Sequence, residues 1–266
     1  MILDDILART RADLPARKAQ TPMAALERVV RDLSPVNSLW TALRQPGRVT
    51  AIAEFKRRSP SQDWIRQGAD VADIVPAYVQ AGATGLSILT DEPFFGGTLE
   101  DLSRARALPD VTRARTPLLR KDFMVDEYQL AEARAAGADA VLLIVAALDK
   151  DTLKTLFAAA ASWGLEALVE THDDAEALQA VDLGARIIGV NHRDLRTFTI
   201  DRELAIRLRP RIPRACVMVA ESGIRDRADV ERLGRENIDA VLVGETLMRA
   251  PAPGDSLRAL LGNVAG

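Results

Sequence analysis

The chain has 266 residues, of which 48% are hydrophobic, 4% aromatic and 27% charged, and its formal net charge is -3. This composition excludes a disordered chain and indicates an aliphatic core, and the length is common for a single α/β barrel. The small net charge gives no reason to expect binding to nucleic acid or to a membrane surface, so we expect a metabolite as the partner.

The cysteine and histidine content limits the kinds of site. Cys216 is the only cysteine and cannot form an internal disulfide, and its flanks, ACVMVA, indicate a small core residue rather than a reactive thiol. The two histidines lie in separate segments, so no metal site is expected. The start, MILDDILART, lacks the basic residues of a signal peptide, and no apolar run approaches the roughly 20 residues of a membrane helix. We therefore expect a cytoplasmic protein that does not enter a membrane.

Residues 1–46 predict a helical extension before the first strand. Their two apolar stripes consist of Ile2, Leu3, Ile6 and Leu7, and of Met23, Leu26, Val30 and Leu33. Thr21 is expected to cap the second helix, with Pro22 at its first helical position. The extension either covers apolar surface of the remaining fold or acts directly over the site.

Eight short apolar runs follow, and most of them lack strict alternation, which is typical of strands buried on both faces of a parallel sheet. They are VTAIAEF from 49, GLSILT from 85, TPLLR from 116, DAVLLIV from 139, LEALVE from 165, RIIGVN from 186, CVMVAE from 216 and DAVLVGE from 239. Amphipathic segments such as 125–136 and 149–164 lie between the runs and predict helices. The order of strand and helix indicates repeated βα units.

A weak internal repeat supports this assignment. QAGATGLSIL, AAGADAVLLI, DLGARIIGV and RENIDAVLVG each pass from a helix end through a turn into a strand. Gly82, Gly137, Gly184 and Asn237 suit the left-handed residue that ends a helix. An open doubly wound sheet would more often carry a glycine-rich nucleotide turn, which is absent. We therefore predict one α/β domain over 1–266, a (β/α)8 TIM barrel with an N-terminal helical extension.

Polar side chains end several of these runs, at the barrel face where active sites lie. The residues expected to converge there are Glu54, Lys56, Lys121, Glu170, Asn191 and Glu221. A single buried charge is often a structural ion pair. Three carboxylates and two lysines at one opening cost desolvation and repulsion, and such clusters are enriched at functional sites. We therefore predict catalysis at this mouth.

The last two units carry a pattern for binding phosphate. AESGI and VGETLM place Gly223 and Gly244 directly after the seventh and eighth strands, where backbone N–H groups and a short helix can receive a phosphate. Glu245 would repel a dianion through its carboxylate, so only its backbone amide is expected to help. The substrate is therefore expected to be phosphorylated.

At this point the sequence resembles the indole-3-glycerol-phosphate synthase family, the decarboxylating, ring-closing enzymes of tryptophan biosynthesis. The motifs that carry the resemblance are LDDILA, IAEFKRRSPS, SILTDEPFFGGTLEDL, LLRKDFMVDEYQLAEARAAGADAVLLIVAAL, LEALVETHD, IIGVNHRDLRTF, VAESGI and VLVGETLMRAP. The site residues that the resemblance implies are Glu54, Lys56, Ser59, Lys121, Phe123, Glu170, Asn191, Arg193, Glu221, Ser222, Gly223 and Gly244. It also implies 1-(2-carboxyphenylamino)-1-deoxyribulose 5-phosphate as the substrate, with indole-3-glycerol phosphate, carbon dioxide and water as products.

Two stretches depart from the family pattern. Gln62 and Asp63 follow SPS where many relatives have Lys-Gly, and NHRDL stands in place of NNRNL. Losing a cation and gaining an acid near an anionic substrate is expected to weaken binding, unless Arg57, Arg58 or Arg66 compensates.

The residues fit this chemistry independently. An acid must protonate the ketone while the ring carbon attacks it, and we assign this role to Lys121. The resulting iminium accepts the electrons of the departing carbon dioxide, so no cofactor or metal is expected. Glu170, Glu54 and Lys56 are candidates for the dehydration, and which carboxylate is the base stays open. Asn191 and Glu221 are expected to orient these groups.

Aromatic contacts and rival functions complete the prediction. Phe123 is expected beside the substrate ring, and Phe94 and Phe95 belong either to the site or to the core. The rivals are a sugar-phosphate isomerase on the same barrel, such as phosphoribosylanthranilate isomerase, and a silent barrel that binds phosphometabolites or a protein. An isomerase needs fewer charged groups at the mouth, and a silent barrel would need none of the polar side chains that surround it. The chain is expected to be a monomer or a weak oligomer.

Overall fold

The structure, a computed structural model, describes residues 2–60, 63–194 and 197–262. Its strands are β1 (Thr50–Phe55), β2 (Arg58–Ser59), β3 (Asp63–Trp64), β4 (Gly85–Leu89), β5 (Leu118–Lys121), β6 (Ala140–Ile144), β7 (Glu166–Thr171), β8 (Ile187–Asn191), β9 (Val217–Glu221) and β10 (Ala240–Val243). Eight parallel strands form a closed barrel in the order β1-β10-β9-β8-β7-β6-β5-β4, and β4 pairs back onto β1. β2 and β3 form a separate antiparallel hairpin. Each of the eight predicted runs overlaps one of the eight barrel strands, so the predicted (β/α)8 barrel is confirmed.

Helices alternate with the strands. They are α1 (Ile2–Gln20), α2 (Met23–Arg31), α3 (Leu39–Leu43), α4 (Val71–Gln80), α5 (Glu92–Phe95), α6 (Leu99–Ala107), α7 (Pro109–Ala114), α8 (Glu127–Ala135), α9 (Lys150–Ser162), α10 (Asp174–Asp182), α11 (Leu204–Leu208), α12 (Arg227–Arg235), α13 (Glu245–Arg249) and α14 (Pro253–Leu261). Two 3₁₀ turns span Val145–Ala147 and Arg209–Arg211. Within the three described ranges, no helix has the length and apolarity to cross a membrane.

Both faces of the barrel strands are buried, which explains their continuous apolar runs. In β1, Ile52 packs inside the barrel with Leu119 and other inward-facing side chains. Its neighbours Ala51 and Ala53 pack in the layer between strands and helices, together with Tyr78 of α4. Successive residues of a strand point to opposite faces, so the same six-residue segment serves both layers.

The amino ends of the strands are closed by α3, a helix that the sequence analysis did not predict. Leu39 and Leu43 are fully buried and join the cluster inside the barrel. The Thr50 hydroxyl at the start of β1 donates to the Leu43 carbonyl at 3.1 Å, and the Trp40 N–H donates to the Glu166 carboxylate at the start of β7 at 2.8 Å. Because this end is blocked, a ligand can enter the barrel only from the carboxyl ends of the strands.

The predicted internal repeat has a structural basis. Gly82, Gly137, Gly184 and Asn237 all have positive φ angles, as predicted. In the two copies that read DAVL, the aspartate also makes the same kind of contact: its carboxylate accepts a hydrogen bond from a backbone N–H of a neighbouring strand.

Those two aspartates each bond to the strand that precedes their own in the chain. An Asp139 carboxylate oxygen accepts from the Leu118 N–H at 2.8 Å, and an Asp239 oxygen accepts from the Met218 N–H at 2.8 Å. Both sit where a helix returns to the barrel, so each satisfies a strand N–H that the ladder leaves free.

Besides the unpredicted α3, the N-terminal extension differs from the prediction in the cap of its second helix. Pro22, not Thr21, is the N-cap of α2, and no side chain caps that helix. Thr21 instead completes the end of α1, because its N–H donates to the Arg17 carbonyl at 2.9 Å and its own carbonyl accepts from the Tyr128 hydroxyl at 2.8 Å. Ile6 of α1 packs with the residues inside the barrel, whereas Leu14 of the same helix packs against Tyr128 of α8.

Candidate active site

A cavity of about 160 Å³ opens at the carboxyl ends of the strands. The predicted site residues that line it are Glu54, Lys56, Ser59, Lys121, Phe123, Glu170, Asn191, Arg193, Glu221, Ser222, Gly223, Gly244 and Glu245. Every residue predicted for the site therefore borders one space, as expected for side chains that end neighbouring parallel strands. Their individual roles stay predictions.

Glu54 and Lys56 form an ion pair on one wall of the cavity. Alternation along the end of β1 sends both side chains to the same side, and Lys56 Nζ lies 2.8 Å from Glu54 Oε1. The Ser87 hydroxyl of the neighbouring β4 lies 3.5 Å from the other Glu54 oxygen. A Cβ at Gly244 would overlap Glu54 Oε1, so the glycine after β10 provides room for this carboxylate.

Lys121 lies between two carboxylates in the same cavity. Its Nζ donates to Glu170 at 2.7 Å and to Glu221 at 3.2 Å. Asn191 Nδ2 donates to the second Glu170 oxygen at 3.1 Å. The four residues come from β5, β7, β8 and β9, so their contacts depend on the closed barrel.

The charges of this group differ strongly because it is buried. Burial opposes the charged form of Lys121, but the carboxylates of Glu170 and Glu221 outweigh it and raise the pKa of Lys121. Burial also disfavours the Glu170 anion, yet Lys121 and then His172 hold the pKa of Glu170 well below its usual range. Burial raises the pKa of Glu221 to about 8; Lys121 offsets part of this rise, and the Glu170 carboxylate adds to it. At neutral pH the group therefore holds a cation, an anion and a neutral acid.

Glu221 has one oxygen that faces no donor. Within the described part of the chain, Glu221 Oε1 is buried without a hydrogen-bond partner. A Cβ at Gly189 in β8 would overlap this same oxygen, so the glycine makes the space that Oε1 occupies. A buried polar atom without a partner at the wall of a cavity is suited to bind a polar group of a ligand.

The loops after β9 and β10 form the rim on the side of Arg193. Ser222 and Gly223 have consecutive positive φ angles, 64° and 74°, an arrangement in which backbone N–H groups can form an anion-binding concavity. The Thr246 hydroxyl donates to the Ile224 carbonyl at 2.6 Å and so joins the two loops. Arg193 Nη2 lies 3.5 Å from Glu245 Oε2, which balances part of the charge that would repel a phosphate.

Two further side chains stabilise the rim by contacting its backbone carbonyls. Arg202 Nε donates to the Gly223 carbonyl at 3.0 Å, and His192 Nδ1 lies 3.0 Å from the Ser222 carbonyl oxygen. His192 belongs to the NHRDL stretch that departs from the family pattern, and its ring is buried. The histidine that departs from the family pattern therefore stabilises the loop after β9.

The three arginines named above, Arg57, Arg58 and Arg66, stabilise the segment after β1 and do not line the cavity. Arg57 pairs with Asp101 at 2.6 Å and 2.7 Å, and Arg66 donates to the Ala250 carbonyl at 3.0 Å. Arg58 pairs with Asp63 at 3.0 Å, and the Asp63 side chain is 72% exposed. The structure therefore places none of the three arginines where it could compensate for a lost lysine. Gln62 lies outside the described residues.

Apolar side chains form the rest of the wall. Phe123 and Phe95 lie with ring centroids 6.0 Å apart, and both line the cavity. Phe94 packs with the cluster inside the barrel and does not line the cavity. The sequence analysis did not assign several lining residues to the site: Ile2, Leu3, Ile6, Leu142, Ile144 and Phe198. The apolar stripe of α1 was the signal for the first three, and their place at the mouth gives α1 a direct position over the site.

His172 stands behind Glu170 and was also missed. Its Nε2 lies 3.3 Å from Glu170 Oε1, at an ion-pair distance without hydrogen-bond alignment, and its Nδ1 lies 3.1 Å from Glu176 Oε2. Burial disfavours the imidazolium, but Glu170 and Glu176 outweigh it and raise the pKa of His172 to about 10. The sequence signal is the spacing in ETH, since residues two apart in an extended segment share a side.

Metal binding has no candidate group here. Among residues 2–60, 63–194 and 197–262, no three His, Cys, Asp or Glu side chains are arranged to hold a metal ion. The cavity instead pairs its carboxylates with lysines, which suits proton transfer and anion binding.

Sequence comparisons identify relatives along nearly the whole chain. The family model described as indole-3-glycerol phosphate synthase matches residues 3–260. Indole-3-glycerol phosphate synthase 2 of Streptomyces coelicolor is 46% identical over 261 residues, which are 98% of this chain and 99% of that protein. Indole-3-glycerol phosphate synthase of Bacteroides thetaiotaomicron is 44% identical over 260 residues, which are 98% of this chain and 97% of that protein.

Solved structures with low sequence identity share the fold. Thiamine phosphate pyrophosphorylase from Pyrococcus furiosus aligns with a TM-score of 0.61 at 15% identity, covering 84% of this chain and 96% of that chain. 3-Hexulose-6-phosphate synthase from Salmonella typhimurium aligns with a TM-score of 0.61 at 16% identity, covering 80% of this chain and 97% of that chain. At such identities the likeness concerns the barrel alone.

Proposed function

Since the chain belongs to the indole-3-glycerol phosphate synthase family, we propose that its barrel mouth converts 1-(2-carboxyphenylamino)-1-deoxyribulose 5-phosphate into indole-3-glycerol phosphate, carbon dioxide and water. The observation that carries the assignment of roles is the Lys121 ammonium, 2.7 Å from Glu170 and 3.2 Å from Glu221, on a cavity wall that also contains Phe123. A buried ammonium next to an aromatic wall is the acid that ring closure needs.

Lys121 protonates the ketone in the first step. The ring carbon that bears the carboxylate attacks the ketone carbon, a C–C bond forms, and the ketone oxygen takes a proton from Nζ. Its carboxylate neighbours raise the pKa of Lys121 and so keep it protonated at neutral pH, and the proton is therefore in place when negative charge develops on the ketone oxygen. Glu221, neutral below pH about 8, avoids placing a further anion beside the substrate carboxylate.

Decarboxylation then follows without an external electron sink. The attack leaves an iminium, and the electron pair of the breaking C–C bond to the carboxylate flows into it and restores the aromatic ring. Phe123 and Phe95 hold the ring, and their apolar surface favours the loss of charge as carbon dioxide forms.

Dehydration completes the indole ring. A base removes a proton from the ring CH₂ group while hydroxide leaves with a proton from an acid. Glu170 is the ionised carboxylate in contact with Lys121, and the Glu54–Lys56 pair supplies a second carboxylate and a second ammonium in the same cavity. We assign proton removal to Glu54, and protonation of the leaving hydroxide to Lys56. Since these two groups lie 2.8 Å apart, the proton that Glu54 gains can restore the one that Lys56 loses.

The phosphate binds at the rim formed by the loops after β9 and β10. The consecutive positive φ angles of Ser222 and Gly223 and the guanidinium of Arg193 favour an anion there. Gly244 and the backbone amide of Glu245 face the same space. Ser59 borders the same cavity and is assigned to substrate binding as well.

The test is to add the ribulose substrate and to follow indole absorbance and released carbon dioxide together. The proposal predicts that both products form in equal amounts and that no metal or cofactor needs to be added. Conversion of the added ribulose into its ribosylamine isomer without release of carbon dioxide would instead indicate the isomerase. Binding without turnover would indicate a silent barrel. Either of these two results contradicts the proposal.

A further inference from the structure

The proposed reaction takes up one proton from solvent in every turnover. The substrate carboxylate is charged, the carbon dioxide that leaves is neutral, and the bond pair restores the ring. The proton that Lys121 gives to the ketone is therefore not returned by decarboxylation. Dehydration removes one proton from carbon and supplies one to hydroxide, so these two cancel. One proton must return to the site before the next turnover.

A line of titratable groups leads from Lys121 away from the cavity. Glu170 contacts Lys121 through one oxygen at 2.7 Å and His172 through the other at 3.3 Å. His172 in turn contacts Glu176 at 3.1 Å, and its own peptide N–H donates to the same Glu176 oxygen at 2.8 Å. Neither His172 nor Glu176 lines the cavity.

Exposure rises along this line. The Glu170 side chain is 2% exposed, that of His172 12% and that of Glu176 19%. The imidazole is therefore the group that has contact both with a buried catalytic carboxylate and with the solvent side of the barrel. Its position matches a proton carrier between the two.

We propose that His172 returns the consumed proton to Lys121 through Glu170, and that Glu176 holds the imidazole in the orientation and charge state that this transfer needs. In the transfer, the imidazole turns until its Nε2–H points at Glu170 Oε1, 3.3 Å away; the N–H bond then breaks and an O–H bond to Oε1 forms. A half-turn of the carboxyl group then presents the proton to the neutral Lys121 amine, which becomes an ammonium again. Water restores the proton of His172. This inference rests on the proposed role of Lys121 as the acid.

The electrostatics favour the transfer in this direction. His172 carries a proton at neutral pH, because the carboxylates of Glu170 and Glu176 raise its pKa to about 10. The pKa of Glu170 is low chiefly because Lys121 is charged. When Lys121 loses its proton, this effect disappears, and Glu170 becomes a better acceptor for the proton of His172.

The test compares single and repeated turnover in His172→Asn. The first turnover uses the proton that Lys121 already holds, so with enzyme in excess the rate of indole formation is expected to stay within about threefold of wild type. Repeated turnover needs the return path, so with substrate in excess the rate is expected to fall at least about tenfold, within the range for loss of a proton-transfer group. The combined result is a burst of one indole per site followed by a slow phase.

Two other results overturn the relay. If both rates fall equally, His172 only positions Glu170. If neither rate changes, the proton returns through the open mouth. Lys121→Met separates these failures from a failure of the proposed function, because it is expected to abolish the first turnover as well. A normal single-turnover rate in Lys121→Met would therefore contradict the role of Lys121 itself.

Glu176→Gln provides a second variant that leaves His172 and Glu170 in place. In this variant the rate of repeated turnover is again expected to fall more than the single-turnover rate, but by less than in His172→Asn. The glutamine amide oxygen still accepts a hydrogen bond from His172 but no longer stabilises the imidazolium through charge. Asp174→Asn is the matched control, since it removes the same charge from the exposed first turn of the same helix, where Asp174 pairs with Arg211. Equal effects of the two variants would count against the relay.

Discussion

Three of the carboxylates that line the cavity have different partners, although each lies near the carboxyl end of a strand of the same barrel. Glu54 is paired with Lys56 at 2.8 Å, and Glu170 is paired with Lys121 at 2.7 Å. Glu221 shares Lys121 at 3.2 Å but has a second oxygen without a partner, and burial raises its pKa to about 8. The environment of each residue therefore decides whether it acts as a base or as a neutral donor.

The raised pKa of Glu221 makes stability depend on pH. In the unfolded chain this group ionises near 4.5, so between about pH 4.5 and about pH 8 the folded protein binds one proton more than the unfolded chain. The free energy of unfolding therefore falls as pH rises through this window, by at most about 1.4 kcal/mol per pH unit from this group. Glu221→Gln mimics the neutral acid and is expected to flatten that fall. Urea unfolding at pH 5.5 and 8.5 measures the difference.

The control for this prediction is Glu231→Gln, which removes an exposed carboxylate paired with Arg227 within α12. It is expected to leave the pH dependence of the wild type in place. An equal loss of stability between the two pH values in wild type and Glu221→Gln would show that Glu221 is already ionised in the folded protein at pH 5.5.

At the scale of single residues, polarity at strand ends was enough to find the charged ring. It was not enough to find His172, because a histidine two residues after a glutamate has many structural uses and its partner Glu176 comes from the next helix. Nor did the sequence decide where Arg57, Arg58 and Arg66 point. Those side chains sit on a loop, and loop conformation depends on contacts with α6 and with the segment after α13 that no local pattern records.

At the scale of elements, strand β8 contributes a gap at Gly189 in addition to the side chain of Asn191. A Cβ at Gly189 would overlap Glu221 Oε1, and the residue lies on a fully buried strand. Gly189→Ala is therefore expected to displace the Glu221 carboxylate and to lower kcat on the order of a hundredfold, the effect of misplacing a catalytic group by about 1 Å. It is also expected to cost about 1–3 kcal/mol of stability through overpacking. Indole formation and urea unfolding test both effects.

A double variant isolates the contact. Glu221→Asp withdraws the carboxylate by one methylene, so Gly189→Ala is expected to cost about 1 kcal/mol less in that background than in wild type. Equal costs in the two backgrounds would mean that the methyl group of the alanine meets something other than Glu221.

Helix α1 connects the mouth of the barrel to its outer layer. Its first turns place Ile2, Leu3 and Ile6 on the cavity wall, while its last turn is tied to α8 by the Lys18–Asp126 ion pair at 2.8 Å. The helix is therefore held at one end and borders the cavity at the other.

Ile6→Ala tests this role of α1. Removing a buried isoleucine is expected to cost about 2–5 kcal/mol of stability. Loss of an apolar contact that substrate and transition state share is expected to raise KM, by about tenfold for each 1.4 kcal/mol of binding, with little change in kcat. Steady-state kinetics measure the two constants. Val29→Ala is the control, because Val29 of α2 is 50% exposed, and it is expected to change neither. A fall in kcat at unchanged KM would contradict the covering role.

Element boundaries were predicted less well than element identities. β5 begins at Leu118, two residues after the start of the predicted run, because Pro117 has no N–H to donate to the strand ladder. Cys216 lies just before β9, and it packs against the core as a partly buried residue, as predicted. The five-residue helix α3 and the two-residue strands β2 and β3 were missed because such short segments show no periodicity.

At the scale of the whole molecule, closure of the barrel assembles the site. Lys121, Glu170, Asn191 and Glu221 are separated along the chain by whole βα units, and the β5-β6-β7-β8-β9 neighbourhood brings their side chains into contact. The sequence was sufficient to predict this fold because the apolar runs, the left-handed helix ends and the strand-end charges all agree with one topology. The closing of the amino end by α3 and the placement of α1 over the mouth depend on contacts between distant segments, which the sequence pattern did not reveal.

The central claim is that a buried ammonium on β5 protonates the ketone that becomes part of the indole ring. The most direct measurement is the rate of indole formation by Lys121→Met beside the wild type, with circular dichroism and urea unfolding to establish that the variant is folded. We predict a fall in kcat of at least about a hundredfold in a folded protein, because the general acid is missing and the two carboxylates can take up protons in place of the lost cation. Near-normal indole formation by the folded variant would contradict the account.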